Sequence, residues 1–176
     1  MNLPNKLTIG RIVAVPIFIV MYVMKLYYAA FALFILASVT DLFDGMLARK
    51  NNQVTNFGKI MDPLADKILV YSALCLFVQN GVIGAWMLII ILFREFIVSG
   101  IRIIASGDGK DVAAGFSGKV KTALQMVAVP LLILSQALPE ITIISRIGYV
   151  IFILSLVMTV YSGVIYVMNS EDYFRS

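Results

Sequence analysis

Apolar side chains gather in six runs, over residues 12–24, 28–39, 68–78, 86–93, 124–134 and 147–168, and their spacing suits helices of about 20 residues crossing a bilayer. Hydrocarbon offers backbone N–H and C=O groups no water to bond, so such segments satisfy themselves as helices. Hydrophobic residues make up 61% of the chain and charged residues only 14%, the balance of a multi-span membrane protein and not of a soluble domain of this length. The expected architecture is an all-α integral membrane protein with six transmembrane helices and a short N-terminal interfacial segment. A single membrane domain is expected across residues 1–176.

Pro16 interrupts the first run and no small-residue cleavage site precedes the second, so the first run reads as a retained helix and not as a signal peptide. The single cysteine, Cys75, excludes an intrachain disulfide and a cysteine-based metal cluster, and reads as packing. Lysine and arginine fall unevenly. Lys6, Arg11, Arg49, Lys50, Lys59, Arg102, Lys110, Lys119, Lys121 and Arg175 flank one set of connections, against Lys25 and Arg146 on the other. Short cytoplasmic segments retain positive charge, so both termini are expected in the cytoplasm, at the cell membrane. The net charge of +4 suits contact with anionic lipid headgroups. Basic and aromatic residues show no pattern that suggests nucleic acid.

Polar punctuation divides the runs. Asn51, Asn52, Gln53, Thr55 and Asn56 connect the second span to a helix expected from near Gly58 through Phe77. Asn80, Gly81 and Gly84 mark an outer turn before a fourth span over 85–106, residues 107–111 form the longest polar loop, and Leu138, Pro139 and Glu140 separate the last two spans.

The chemistry concentrates where the second span turns polar. Asp41 and Asp44 stand at i, i+3, and Gly58, Asp62 and Asp66 at i, i+4, so each set shares one helical face and the hairpin between them can bring both pairs together. Four carboxylates at the edge of hydrocarbon repel one another unless cations are bound. Oxygen-only ligands favour hard ions, and two divalent cations, Mg²⁺ or Mn²⁺, would bring the group near neutrality. Two metals are the usual clamp for phosphoryl chemistry. The chain has no histidine, which removes imidazole bases, Ser-His and Cys-His mechanisms and histidine metal sites together, and leaves a carboxylate as base. The plainer reading has individual aspartates capping helices or pairing with Arg49 and Lys67.

From Asp41 to Asp66 the order of Asp41, Asp44, Gly45, Ala48, Arg49, Gly58, Asp62 and Asp66 resembles the signature of the CDP-alcohol phosphatidyltransferases at every defined position. The stretches around Asn5 to Arg11, Arg94 to Arg102, and Gly118 to Thr122 resemble those members that use sn-glycerol 3-phosphate as acceptor. The resemblance implies a six-helix fold, a homodimer, and two metals among Asp41, Asp44, Asp62 and Asp66. It further implies that Asp66 is the general base. Asp66 would deprotonate a hydroxyl of sn-glycerol 3-phosphate, which would attack the β-phosphorus of CDP-diacylglycerol, with phosphatidylglycerolphosphate and CMP as products. Gly45, Ala48 and Gly58 would leave room for the nucleotide and Arg49 would contact phosphate. Asn5 and Thr8 would lie near the nucleotide, although either residue can simply cap a helix.

The acceptor phosphate needs cationic partners, for which Arg11, Arg94, Arg102, Lys119 and Lys121 are the candidates. Arg94 lies too deep in its span for ordinary snorkelling. Lys119 and Lys121 are two apart and face opposite sides of a regular helix, so at most one points inward. Glu95 and Arg102, at i and i+7, are alternatively a structural pair. A transporter is the competing class, since intramembrane aspartates also line cation pathways; the clustering of the carboxylates at one membrane face weighs against it. Within the family, serine, inositol phosphate or phosphatidylglycerol stay open as acceptors.

Overall fold

The computed structural model describes the backbone over residues 3–50, 56–107 and 115–170, and side chains over 9–40, 67–105 and 115–170. Six helices fill it, α1 (Leu3–Val23), α2 (Tyr27–Lys50), α3 (Asn56–Gln79), α4 (Ala85–Gly107), α5 (Phe116–Ala137) and α6 (Thr142–Met168). Among the described residues there is no strand. The number of helices and the turn around Gly81 agree with the sequence expectation. Residues 3–10, expected as a separate interfacial segment, are instead the opening turns of α1. Pro4 sits in the first turn, where no N–H is required of it, so nothing breaks the helix there.

Two helix ends share one closing device. After α1, Lys25 takes φ 60° while its N–H reaches the Tyr22 carbonyl and the Leu26 N–H reaches Met21, both at 2.9 Å. After α3, Gly81 takes φ 70°, with Gly81 N–H on Val78 at 3.1 Å and Val82 N–H on Phe77 at 2.8 Å. Both are Schellman caps, which satisfy the last carbonyls through a left-handed residue. Glycine adopts that conformation freely and lysine at a cost, which is why only Gly81 could be read from the sequence.

The core of α1, α2 and α3 is aromatic. Phe18, Tyr22, Phe34 and Phe77 are wholly buried or nearly so, with centroids 6.0 Å apart for Phe18 and Tyr22, 5.9 Å for Phe18 and Phe34, and 6.1 Å for Tyr22 and Phe77. The tilted rings set edges against faces, as their quadrupoles prefer. Gln136 of α5 donates its amide to the Tyr22 hydroxyl, and Asn80 Nδ2 donates to Gln136 Oε1 at 3.1 Å. This chain fastens the ends of α1, α3 and α5 together. Tyr22→Phe removes the acceptor of a part-buried amide, so stability is expected to fall by about 1–3 kcal/mol. The check is the midpoint of thermal unfolding in micelles; an unchanged midpoint would mean that the amide finds another partner.

Helix α6 turns a stripe of small residues inward. Gly148, Ser155, Thr159 and Ser162 face the interior with Phe152, Leu156 and Tyr166, while Val150, Leu154, Val157, Val160 and Val164 are exposed. Buried hydroxyls are satisfied within the helix, Ser155 on the Phe152 carbonyl and Thr159 on the Ser155 carbonyl, each at 2.7 Å. Small and hydroxylated residues in the contact face, with apolar ones outward, are the pattern of helices that associate in lipid. The α5–α6 pair makes the broadest contact, α1 packs on α2 and α3, α2 on α5, and α4 on α6. Among the described residues α5 and α6 are long and apolar enough to cross a membrane, and 9–23, 27–40 and 67–79 are shorter apolar helical segments. Cys75, expected in the packing, is exposed on α3.

Candidate active site

A carboxylate in the middle of an apolar helix requires cations, and Glu95 of α4 has three. Lys121 Nζ of α5 lies 2.5 Å from Oε1, Arg94 Nη1 donates to the same oxygen at 2.8 Å, and Lys67 Nζ of α3 lies 3.2 Å from Oε2. Glu95 and Lys121 are buried, and the Arg94 side chain is 12% exposed. Among the described residues these three cations exceed the one carboxylate by two formal charges, with Lys121 buried, Arg94 part-buried and the Lys67 side chain 39% exposed. Such an excess is the complement of a phosphate dianion.

Arg94 reaches this position through a slot without side chains. A methyl group at Gly163 of α6 would lie 2.9 Å from Arg94 Cγ, and one at Gly118 of α5 would lie 3.2 Å from Nη2. Beside the guanidinium is a cavity of about 100 Å³ lined by Arg94, Arg102, Ser162, Tyr166, Ser170 and the first residues of α5. The Arg94 Nε and the Tyr166 hydroxyl are buried there without a hydrogen-bond partner. Gly115 caps α5 without a side-chain bond, so the helix presents its first N–H groups and its positive dipole end to the same space, an arrangement suited to an anion. Arg102 is exposed and stands 5.8 Å from the centroid of the Tyr166 ring. A second cavity, of about 80 Å³, lies on the other side of the cluster between Lys67, Glu95, Lys121 and Gln125. The amide nitrogen of Gln125 is buried without a partner.

Several sequence expectations resolve here. Lys121 is buried and Lys119 exposed, the opposition their spacing required, and Lys119 lines neither cavity. Arg11 is buried on α1. Glu95 and Arg102 are not a pair: two turns of helix separate them, too far for one ion pair, and Glu95 is taken by the cations of three helices. Lys67, read as a possible partner of an aspartate, bonds Glu95, while the aspartate side chains it was read against lie outside the described residues. Asp41, Asp44, Gly45, Ala48 and Arg49 lie on the C-terminal half of α2, and Gly58, Asp62 and Asp66 on the N-terminal half of α3. The side chains of 41–66, and those of Asn5 and Thr8 in α1, lie outside the described residues. Sequence reasoning missed Gly163, Tyr166, Gln125 and the hub role of Glu95; the signal for Glu95 was an acid inside an apolar run, which demands cationic company.

Fold and site define an all-helical protein with an apolar exterior and a buried, anion-seeking cluster of cations beside two helices that carry paired aspartates. The sequence profile of the CDP-alcohol phosphatidyltransferases matches residues 1–161, and the chain belongs to that family. It is similar to the CDP-diacylglycerol–glycerol-3-phosphate 3-phosphatidyltransferase of Bacillus subtilis, 46% identical over 148 residues, with 76% of this chain and 77% of that protein covered. The protein of that name from Rickettsia bellii is 38% identical over 176 residues, covering 98% and 97%. That from Shigella flexneri serotype 5b is 35% identical over 170 residues, covering 92% and 90%.

Proposed function

We propose that this chain transfers the phosphatidyl group of CDP-diacylglycerol to sn-glycerol 3-phosphate, giving phosphatidylglycerolphosphate and CMP. The observation that carries the acceptor assignment is the cationic cluster, with an excess of two charges beside a cavity open to the α5 N-terminus. An acceptor bearing its own phosphate uses that excess, whereas serine does not. The relatives' names point to the same acceptor.

Arg94 and Arg102, which line the cavity at the α5 N-terminus, hold the acceptor phosphate, with Lys121 beside Arg94 on the shared Glu95 carboxylate; the remaining basic candidates are Arg11, buried on α1, and Lys119, exposed on α5. Asp66 takes the proton from a glycerol hydroxyl, whose oxygen attacks the β-phosphorus as the bond to CMP breaks. Asn5, Thr8, Gly45, Ala48, Arg49 and Gly58 surround the nucleotide and pyrophosphate. Lys67 follows Asp66 in the chain, so its ion pair with Glu95 ties the helix of the base to the acceptor cavity.

Asp41, Asp44, Asp62 and Asp66 suit two Mg²⁺ or Mn²⁺ ions. The donor set is all oxygen, and α2 and α3 are continuous helices through it, so the spacings keep Asp41 with Asp44 and Asp62 with Asp66 on common faces. Among the described residues no other group of acids, cysteines or histidines has that capacity. When bound, the ions supply charge neutralisation on the pyrophosphate and on departing CMP. The apolar exterior, the two span-length helices and the family support a multi-pass membrane protein; a place in the cell membrane, one domain over residues 1–176, a cytoplasmic site and termini, and two copies per assembly complete the reading.

Purified protein in micelles with Mn²⁺ or Mg²⁺ is expected to release CMP from CDP-diacylglycerol only when sn-glycerol 3-phosphate is added. Chelation is expected to lower the rate about a thousandfold, matching several kcal/mol of lost charge stabilisation, with recovery on readdition of the metal. CMP release driven equally by serine or inositol phosphate would overturn the acceptor; chelator-resistant release would overturn the metal.

A further inference from the structure

We propose that Gly163 and Glu95 are positioning residues for Arg94, and that through Arg94 they set the affinity of the acceptor's phosphate. The proposal rests on the acceptor reading given above.

Gly163 acts at the stem of the arginine. A Cβ on residue 163 would come within 2.9 Å of Arg94 Cγ and 3.7 Å of its Cβ. These atoms lie next to the backbone of α4 and cannot yield as the end of a long side chain would. Relief requires a different χ1, which swings the whole guanidinium away from its cavity. The nearby Gly118 is less restrictive, because the atom it faces is the terminal Nη2. Glu95 acts at the other end, where Oε1 accepts from Arg94 Nη1 at 2.8 Å and is itself held by Lys121 at 2.5 Å and, through Oε2, by Lys67 at 3.2 Å. Fixed from both α3 and α5, the carboxylate occupies one terminal nitrogen and leaves Nε, buried without a partner, and Nη2 for a ligand. A guanidinium held at stem and tip needs little ordering when phosphate arrives, and that pre-organisation is what the two residues contribute.

Gly163→Ala changes no charge and so tests position alone. The variant in micelles is expected to bind both inorganic phosphate and sn-glycerol 3-phosphate about tenfold more weakly by calorimetry. Its KM for the glycerol phosphate rises by the same factor, and its KM for CDP-diacylglycerol stays put. In an Arg94→Ala background the same substitution is expected to add nothing, because there is no guanidinium left to misplace. Glu95→Gln also removes a charge shared with Lys67 and Lys121, so it is read by its departure from additivity with Arg94→Ala, and a coupling there decides the matter if the alanine variant fails to fold. Undiminished phosphate affinity in a folded Gly163→Ala variant, or an effect of either substitution that is the same with and without Arg94, would overturn the proposal and make both residues merely structural. If the wild type binds inorganic phosphate but releases no CMP with sn-glycerol 3-phosphate, the acceptor reading fails and the cycle on inorganic phosphate still judges the clamp. A wild type that binds no phosphate overturns both.

Discussion

Asp66→Asn is expected to keep its helix content and melting behaviour in micelles while CMP release falls by about 10²–10⁴-fold, the contribution of a positioned general base. The substitution preserves size and one donor oxygen and removes the proton acceptor. The chain contains no histidine to take over the role. Hydroxyls are too weak as bases at neutral pH. What distinguishes Asp66 from Asp41, Asp44 and Asp62 is its neighbour Lys67, whose pairing with Glu95 links this turn of α3 to the helices that form the acceptor cavity. KM for sn-glycerol 3-phosphate should therefore change little, since Arg94 and Lys121 are untouched. Single-turnover CMP release within a factor of about three of wild type would remove Asp66 from the chemistry, because no general-base role is that small.

The parts of this protein that could be read from sequence are those determined over short spans. The helices that carry the aspartates could be read because i, i+3 and i, i+4 spacings need only a local helix, and Gly81 because a left-handed cap favours glycine. The opposition of Lys119 and Lys121 followed from helical period alone. What escaped depends on which helices meet. Two of the three partners of Glu95 lie 28 and 26 residues away, on Lys67 and Lys121, and the amide that binds Tyr22 lies 114 residues away on Gln136. No pattern in one helix encodes those encounters. Gly163 was likewise opaque: a glycine in an apolar helix reads as packing, and only the path of the arginine opposite it reveals what the missing side chain makes room for.

Arg94→Met is expected to raise KM for sn-glycerol 3-phosphate by about 30-fold to several thousandfold, the span set by a loss of about 2–5 kcal/mol when one partner of a buried charge pair is removed. Methionine fills much of the slot between Gly118 and Gly163, so the change is mainly one of charge and hydrogen bonding. The fold should tolerate it, because Glu95 keeps Lys121 at 2.5 Å and Lys67 at 3.2 Å and is not left as an isolated buried charge. Arg94→Lys restores the charge but not the planar fork, and a shorter donor set at that depth should recover only part of the affinity. The KM for CDP-diacylglycerol provides the internal control, since its nucleotide is assigned to α2, α3 and the start of α1. A selective rise for the acceptor places its phosphate on Arg94; equal rises for both substrates would instead mean that the cluster holds the helices together and that the phosphate is bound elsewhere.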